Sequence, residues 1–189
     1  MNIRSLGFLI LAVLALWTGC STKKDELKAS SSTTSGTGGN VAEANDVIRR
    51  GDKAPNFSWK DTMGRVVDFD AFHGKVTLIN FWATWCGPCK AELPDLVSLS
   101  QEMAGRGVKI IGVSTDRGPG ATDLVRSFVQ AHGIPYQVVV SNDDLDDAFG
   151  NPRAIPTSYL VGADGKIAQT IVGMRSKAYF AQAIIALLK

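Results

Sequence analysis

The chain has 189 residues, 45% of them apolar, with 20 Lys+Arg against 18 Asp+Glu and three cysteines. At roughly 100–200 residues per domain this allows one domain with an appendage, and the apolar content supports a packed core rather than global disorder. A formal charge of +2 excludes the large basic field of a nucleic-acid binder, and three cysteines are too few for a disulfide scaffold.

At the N-terminus Arg4 precedes an apolar run from Leu6 to Trp17. As a helix this run would rise ~18 Å, short of a hydrocarbon core of about 30 Å, but it suits a signal-peptide h-region. Leu16-Trp17-Thr18-Gly19-Cys20 resembles a bacterial lipobox, with Trp17 where Leu is usual. The expectation is a lipoprotein-type signal peptide over residues 1–19 and lipidation of Cys20; plain secretion with an incidental cysteine is the alternative. Residues 20–45 open with a stretch rich in Ser, Thr and Gly and read as a flexible tether, leaving residues 46–189 for the folded domain. Removing residues 1–40 takes away Arg4, Lys23, Lys24 and Lys28 against Asp25 and Glu26, which cancels the cationic excess. Bulk charge therefore does not select the partner.

Within the domain, Phe57-Ser58-Trp59 suggests a short strand, and Met63-Gly64-Arg65 a turn into Val66-Val67. Val76–Trp82 is a continuous β-favouring run, as in a strand buried on both faces. After Cys86 the spacing becomes helical, with Leu93, Leu96, Val97, Ser100 and Met103 on one face, a kink expected at Pro94, and a stop at Gly105 and Gly107. Val108–Val113 is a second buried strand. Gly120–His132 follows as an amphipathic helix with Leu124, Val125, Phe128 and Val129 expected inside. Tyr136–Val140 is a third strand, Asn142–Phe149 a short acidic helix, and Thr157–Val161 with Lys166–Val172 a hairpin around Ala163-Asp164-Gly165. Ser176 caps a last helix with Phe180, Ile184 and Leu188 inside. Strands alternating with helices, then a hairpin, predict a three-layer α/β domain with a mixed sheet.

The most informative stretch is Phe81-Trp82-Ala83-Thr84-Trp85-Cys86-Gly87-Pro88-Cys89, where a buried strand ends and a Cys-x-x-Cys pair opens a helix. Free N–H groups and the macrodipole at a helix N-terminus favour an anion, so Cys86 is expected to ionise below the free thiol's pKa of ~8.5. Thiolate is the attacking species in disulfide exchange, which makes Cys86 the nucleophile and Cys89, one turn inside, the resolving thiol. Pro88 fits the first turn without loss of a needed N–H. A structural disulfide closing so short a loop contributes little entropy, and a structural zinc site needs four ligands where only His73 and His132 remain to join the pair. Neither His has ligand spacing to the cysteines.

Trp85-Cys86-Gly87-Pro88-Cys89 is identical to the active-site motif of thioredoxins, and residues from about Gly51 to Lys189 resemble the TlpA/ResA group of membrane-tethered, extracytoplasmic thiol–disulfide oxidoreductases. Gly51-Asp52-Lys53-Ala54-Pro55-Asn56-Phe57 is similar to that group's peroxiredoxin-like N-terminal segment. The resemblance implies a thioredoxin-like three-layer α/β/α fold with a mixed β-sheet, an extra N-terminal hairpin and a central insertion. It also implies that Ile155-Pro156-Thr157 is the family's cis-proline loop, which lies against the cysteines and presents the Ile155 backbone to an incoming peptide. Trp85, Gly87, Pro88, Ile155 and Pro156 are then substrate-binding residues, with Trp82 and Trp85 at the rim. Thioredoxins carry a buried Asp in the strand before the motif; here Asn80 stands there and cannot exchange a proton. Glu92, at i+3 from Cys89 and at a place where the group has Glu, is the candidate acid/base; a solvated helix Glu is the plainer reading.

The expected protein is thus a lipid-anchored, monomeric extracytoplasmic oxidoreductase with Cys86, Cys89 and Glu92 as its catalytic residues. It would use no cofactor and no metal, reduce disulfides of partner proteins, as in cytochrome c maturation, and draw electrons from a membrane thiol reductant. Two other readings use the same cysteines. A peroxidase would need the peroxiredoxins' Pro-x-x-x-Thr-x-x-Cys pattern, absent at both Cys86 and Cys89; a Cu(I) metallochaperone would suit soft thiolates, but no His or Met stands at ligand spacing.

Overall fold

Seven consecutive buried residues, Val76–Trp82, form the central strand of the computed structural model, which describes residues 41–45 and 53–189. Strong β-formers without a polar face belong in the middle of a sheet covered on both sides. In chain order the elements are β1 (Val41–Asn45), β2 (Ser58–Lys60), β3 (Val66–Asp68), α1 (Phe69–Phe72), β4 (Val76–Trp82), α2 (Gly87–Met103), β5 (Val108–Ser114), α3 (Ala121–Ala131), β6 (Gln137–Val140), α4 (Asp143–Ala148), β7 (Thr157–Gly162), β8 (Ile167–Val172) and α5 (Lys177–Leu187).

The strands follow the order β3-β2-β1-β6-β5-β4-β7-β8. β4, β5 and β6 run parallel, β7 and β8 antiparallel to their neighbours, and the β2–β3 hairpin joins through β1. This is a thioredoxin-like α/β fold with a mixed sheet and an N-terminal hairpin; α3 and β6 are the insertion, adding a parallel strand beside β5. Period-two alternation divides the core. Leu78, Trp82, Ile110 and Val138 face Leu93, Leu96 and Leu99 of α2, Val125 and Val129 of α3, and Phe180 and Ile184 of α5. Ile79, Phe81, Ile111 and Val139 face Phe57, Trp59, Phe69 of α1 and Leu145 of α4.

Three details depart from the sequence expectations. The sheet reaches back to Val41, so residues 41–45 of the expected tether pair with β6 and β2. The one-turn helix α1 was not legible, being too short for a period. Leu124 is 54% exposed rather than buried, because α3 packs through Val125 and Val129 and leaves Leu124 at the edge of that stripe. Helix α2 spans Gly87–Met103 with Pro94 inside it, the position where the sequence places a kink.

Candidate active site

β4 delivers the motif. Its last residue, Trp82, is buried and packs its ring 5.2 Å from that of Phe128, so it lies beneath the site and not at the rim. Trp85, by contrast, is 67% exposed and does stand at the rim, with Gly87 and Pro88 also exposed beside it. Cys86 is the N-cap of α2 in extended conformation, and Pro88 occupies the first turn. The chain folds this way because a non-helical cap residue with an acceptor side chain, followed by Pro, is what a helix start requires.

Cys86 and Cys89 are joined by a disulfide. The Cys89 N–H donates to Cys86 Sγ at 3.2 Å, and Cys86 Sγ sits 3.7 Å from the Ile155 carbonyl oxygen. In the disulfide Sγ carries no proton, so the second distance is a contact. The Ile155–Pro156 peptide is cis, and Pro156 is buried while Ile155 is half-exposed. On the far side of Pro156, its carbonyl accepts from the Gly173 N–H at 2.8 Å, which ties the Gly173–Arg175 loop to this edge.

Glu92 is 2% exposed, which sets aside the solvated-helix reading. Its Oε2 accepts from Asn80 Nδ2 at 3.1 Å and its Oε1 from the Arg175 N–H at 2.8 Å. Asn80 spends its other amide proton on Ser158 Oγ at 2.9 Å, its direct cross-strand partner between β4 and β7. Burial raises the Glu92 pKa above the ordinary carboxylate value, while the Arg175 and Asn80 donors oppose that shift only in part. Tyr136 is buried near this carboxylate and its phenol is pushed up. One turn inside the helix from the thiol pair, then, sits a carboxyl group that holds a proton more readily than usual and is fixed by neutral donors.

Other sequence candidates do not gather here. His132 is exposed, stacks on Phe128 and bonds the Phe128 carbonyl; His73 bonds the Gly74 carbonyl. Among the described residues no group of three or more His, Cys, Asp or Glu is placed to hold a metal ion. Cys20, Gly51 and Asp52 lie outside the described residues. Sequence reasoning missed Ser158 and Arg175, which act through one hydroxyl and one backbone N–H, and Asp116 at the end of β5; none carries a motif.

The geometry accords with similarities to known proteins. Residues 50–170 match the model of the AhpC/TSA family. The chain is 31% identical to thiol-disulfide oxidoreductase ResA of Bacillus subtilis over 134 residues, covering 70% of this chain and 73% of that protein. It is 33% identical to the protein of the same name from Oceanobacillus iheyensis over 139 residues, 71% and 70% of the two chains. Among solved structures, a thiol:disulfide interchange protein of the thioredoxin family from Chlorobium tepidum superimposes with a TM-score of 0.65 at 32% identity, over 76% of this chain and all of that one. StoA from Bacillus subtilis does so at 0.57 and 26% identity, over 67% and 94%.

Proposed function

Because the chain belongs to the AhpC/TSA family and is a ResA-like thiol–disulfide oxidoreductase, we propose that it works as a reductase of disulfides in partner proteins outside the cytoplasm, held to a membrane by a lipid on Cys20. The observation that carries the reading is the Cys86–Cys89 disulfide at the start of α2, with Cys86 Sγ against the Ile155 carbonyl.

In the reduced protein Cys86 is the thiolate, favoured by the helix terminus and by the Cys89 N–H aimed at it. It attacks one sulfur of a substrate disulfide and expels the other as thiolate, leaving a mixed disulfide. The substrate chain lies extended along the Ile155 backbone, with the exposed Trp85 ring as an apolar wall. Glu92, as carboxylate, takes the Cys89 proton; Cys89 then attacks Cys86 Sγ and frees the second substrate thiol. The substrate gains two electrons from the cysteine pair, the Cys89 proton taken up by Glu92 and one proton from solvent complete the two product thiols, and the Cys86–Cys89 disulfide forms. A membrane thiol reductant returns the pair to the dithiol, and the protein needs no cofactor.

The reducing direction is supported by Gly87-Pro88 between the cysteines, which resembles reducing thioredoxins, and by the need for dedicated reductants in an oxidising compartment. Disulfides awaiting reduction in apocytochrome c fit this role. Ala83, not threonine, stands three places before Cys86, so the peroxidase reading has no residue to carry it. Two measurements test the proposal. Cys89→Ser expressed in cells is expected to trap partner proteins on Cys86, and an empty trap overturns the protein-substrate reading. A redox titration is expected to give a low midpoint; one near about −120 mV, the strong-oxidant end, overturns the direction.

A further inference from the structure

Asp116 follows β5 and is 3% exposed, yet nothing in the exchange chemistry uses its carboxylate. Among the described residues it pairs with no cation. Its oxygens go instead to the segment that leads into the motif: Oδ2 accepts from the Thr84 N–H at 2.9 Å, and Oδ1 from the Thr84 hydroxyl at 2.6 Å. Ser114 Oγ donates a third bond to Oδ2 at 2.7 Å and in turn accepts from the Asp116 N–H at 3.1 Å. The adjoining Thr115 holds the Trp82 carbonyl through its N–H at 2.8 Å. Residues after β5 thus grip the chain at Trp82 and again at Thr84, two residues before Cys86. The Cys86 N–H then closes a turn onto the Ala83 carbonyl at 3.1 Å.

Burying a carboxylate is costly, and hydrogen bonds from charge-assisted donors offset the cost only where geometry is tight. A loop exit that needed only stability would be served by packing. A bidentate clamp on one residue supplies direction, which is what an N-cap sulfur requires, since its thiolate is favoured only while Sγ stays over the first turn of α2.

We infer that Asp116 is a positioning residue for the exchange reaction, clamping Thr84 so that Cys86 Sγ is held at the N-terminus of α2 and beside the Ile155 carbonyl. The inference rests on the reading of Cys86 as the attacking thiolate. Among the described residues, the charged and titratable groups on the elements around the motif are Lys90 and Glu92 on α2, Asp116 and Arg117 after β5, Tyr136 before β6 and Arg175 before α5. Asp116 is one anion among these, so its charge and its clamp act on Cys86 with opposite signs. Removing a nearby negative charge would favour the thiolate; releasing the clamp disfavours it.

The test measures alkylation of Cys86 against pH in the full-length reduced protein, together with catalysed reduction of insulin disulfides. Asp116→Asn and Thr84→Val each remove part of the clamp, and only the first removes charge. Both are expected to move the alkylation midpoint to higher pH and to lower turnover about tenfold, the worth of one charge-assisted bond. Thr84→Ser, which keeps both donors, is expected to behave as the parent. A midpoint that moves down in Asp116→Asn and stays fixed in Thr84→Val overturns the inference, leaving an electrostatic effect only. Lowered thermal stability with unchanged midpoints in both variants also overturns it. Cys86→Ser serves as the separate check: if it retains turnover, the underlying reading of Cys86 fails, whatever the clamp does.

Discussion

Glu92 is pulled two ways, since burial favours its proton while the Asn80 and Arg175 donors favour its charge, and burial prevails. A raised folded-state pKa means that the native protein binds this proton more tightly than the unfolded chain. Its contribution to stability is therefore complete below the ordinary carboxylate range and is lost as pH rises through the raised native value. Glu92→Gln is expected to remove that dependence, so that urea midpoints measured from acid to neutral pH fall less steeply than in the parent. The same variant is expected to slow release of the mixed disulfide by at least about 10²-fold at neutral pH, the usual worth of a general base. Its rate should also lose the rise with pH that tracks Glu92 ionisation. Stopped-flow measurement of product release at several pH values checks both, and an unchanged pH profile would return Glu92 to a structural role. Cys86, Cys89 and Pro88 were readable as residues because their spacing is itself the chemistry. Ser158 was not, since its part depends on standing opposite Asn80 in a strand 78 residues away.

β5 shows how closely the elements beneath the site are fitted. Gly112 faces the layer that holds Trp82, and a Cβ there would lie 2.9 Å from the indole Nε1 and 3.3 Å from Val138 Cγ2. Neither neighbour has open space, since Trp82 packs on Phe128 and Val138 is fully buried. Gly112→Ala is expected to cost about 1–3 kcal/mol through overpacking and to shift the tryptophan fluorescence, both read in one urea titration. A parent-like midpoint would mean that Trp82 moves freely. Strands β4 and β5 were evident from their unbroken apolar runs, the β7–β8 hairpin from its Ala163-Asp164-Gly165 turn, and β6 and the helices α2, α3, α4 and α5 were likewise legible. β1 was not: Val-Ala-Glu-Ala-Asn has no strong alternation, and its pairing is supplied by the open edge of β6. Trp82 was placed at the rim because sequence shows that it adjoins the motif, not which way the pleat turns it.

For the molecule as a whole, the redox state of one short loop bears on global stability. A cross-link between Cys86 and Cys89 closes only a few residues, which in the chain-entropy account stabilises the oxidised fold by about 2 kcal/mol. Thiolate stabilisation at the start of α2 offsets part of this in the reduced protein. A reductase requires the oxidised form to be the more stable, as a strong oxidant requires the reverse. The guanidinium midpoint of the oxidised protein is therefore expected to exceed that of the protein held in excess reductant. An equal or lower midpoint would place the couple among the oxidants.

Local information in the sequence determined most of the segments that become strands and helices, β1 and α1 excepted, where a helix starts on a sulfur, and that the two thiols work as a couple. Each of these follows from neighbours within a turn or a pleat. What only the tertiary structure decided is the environment of that couple. The carboxyl of Glu92 is buried and held from Asn80 and Arg175, 12 and 83 residues away, and Thr84 is clamped by Asp116 across 32. Such partners carry no period or motif of their own. They meet because parallel strands end at the same edge of the sheet, and that edge exists only once the chain has folded.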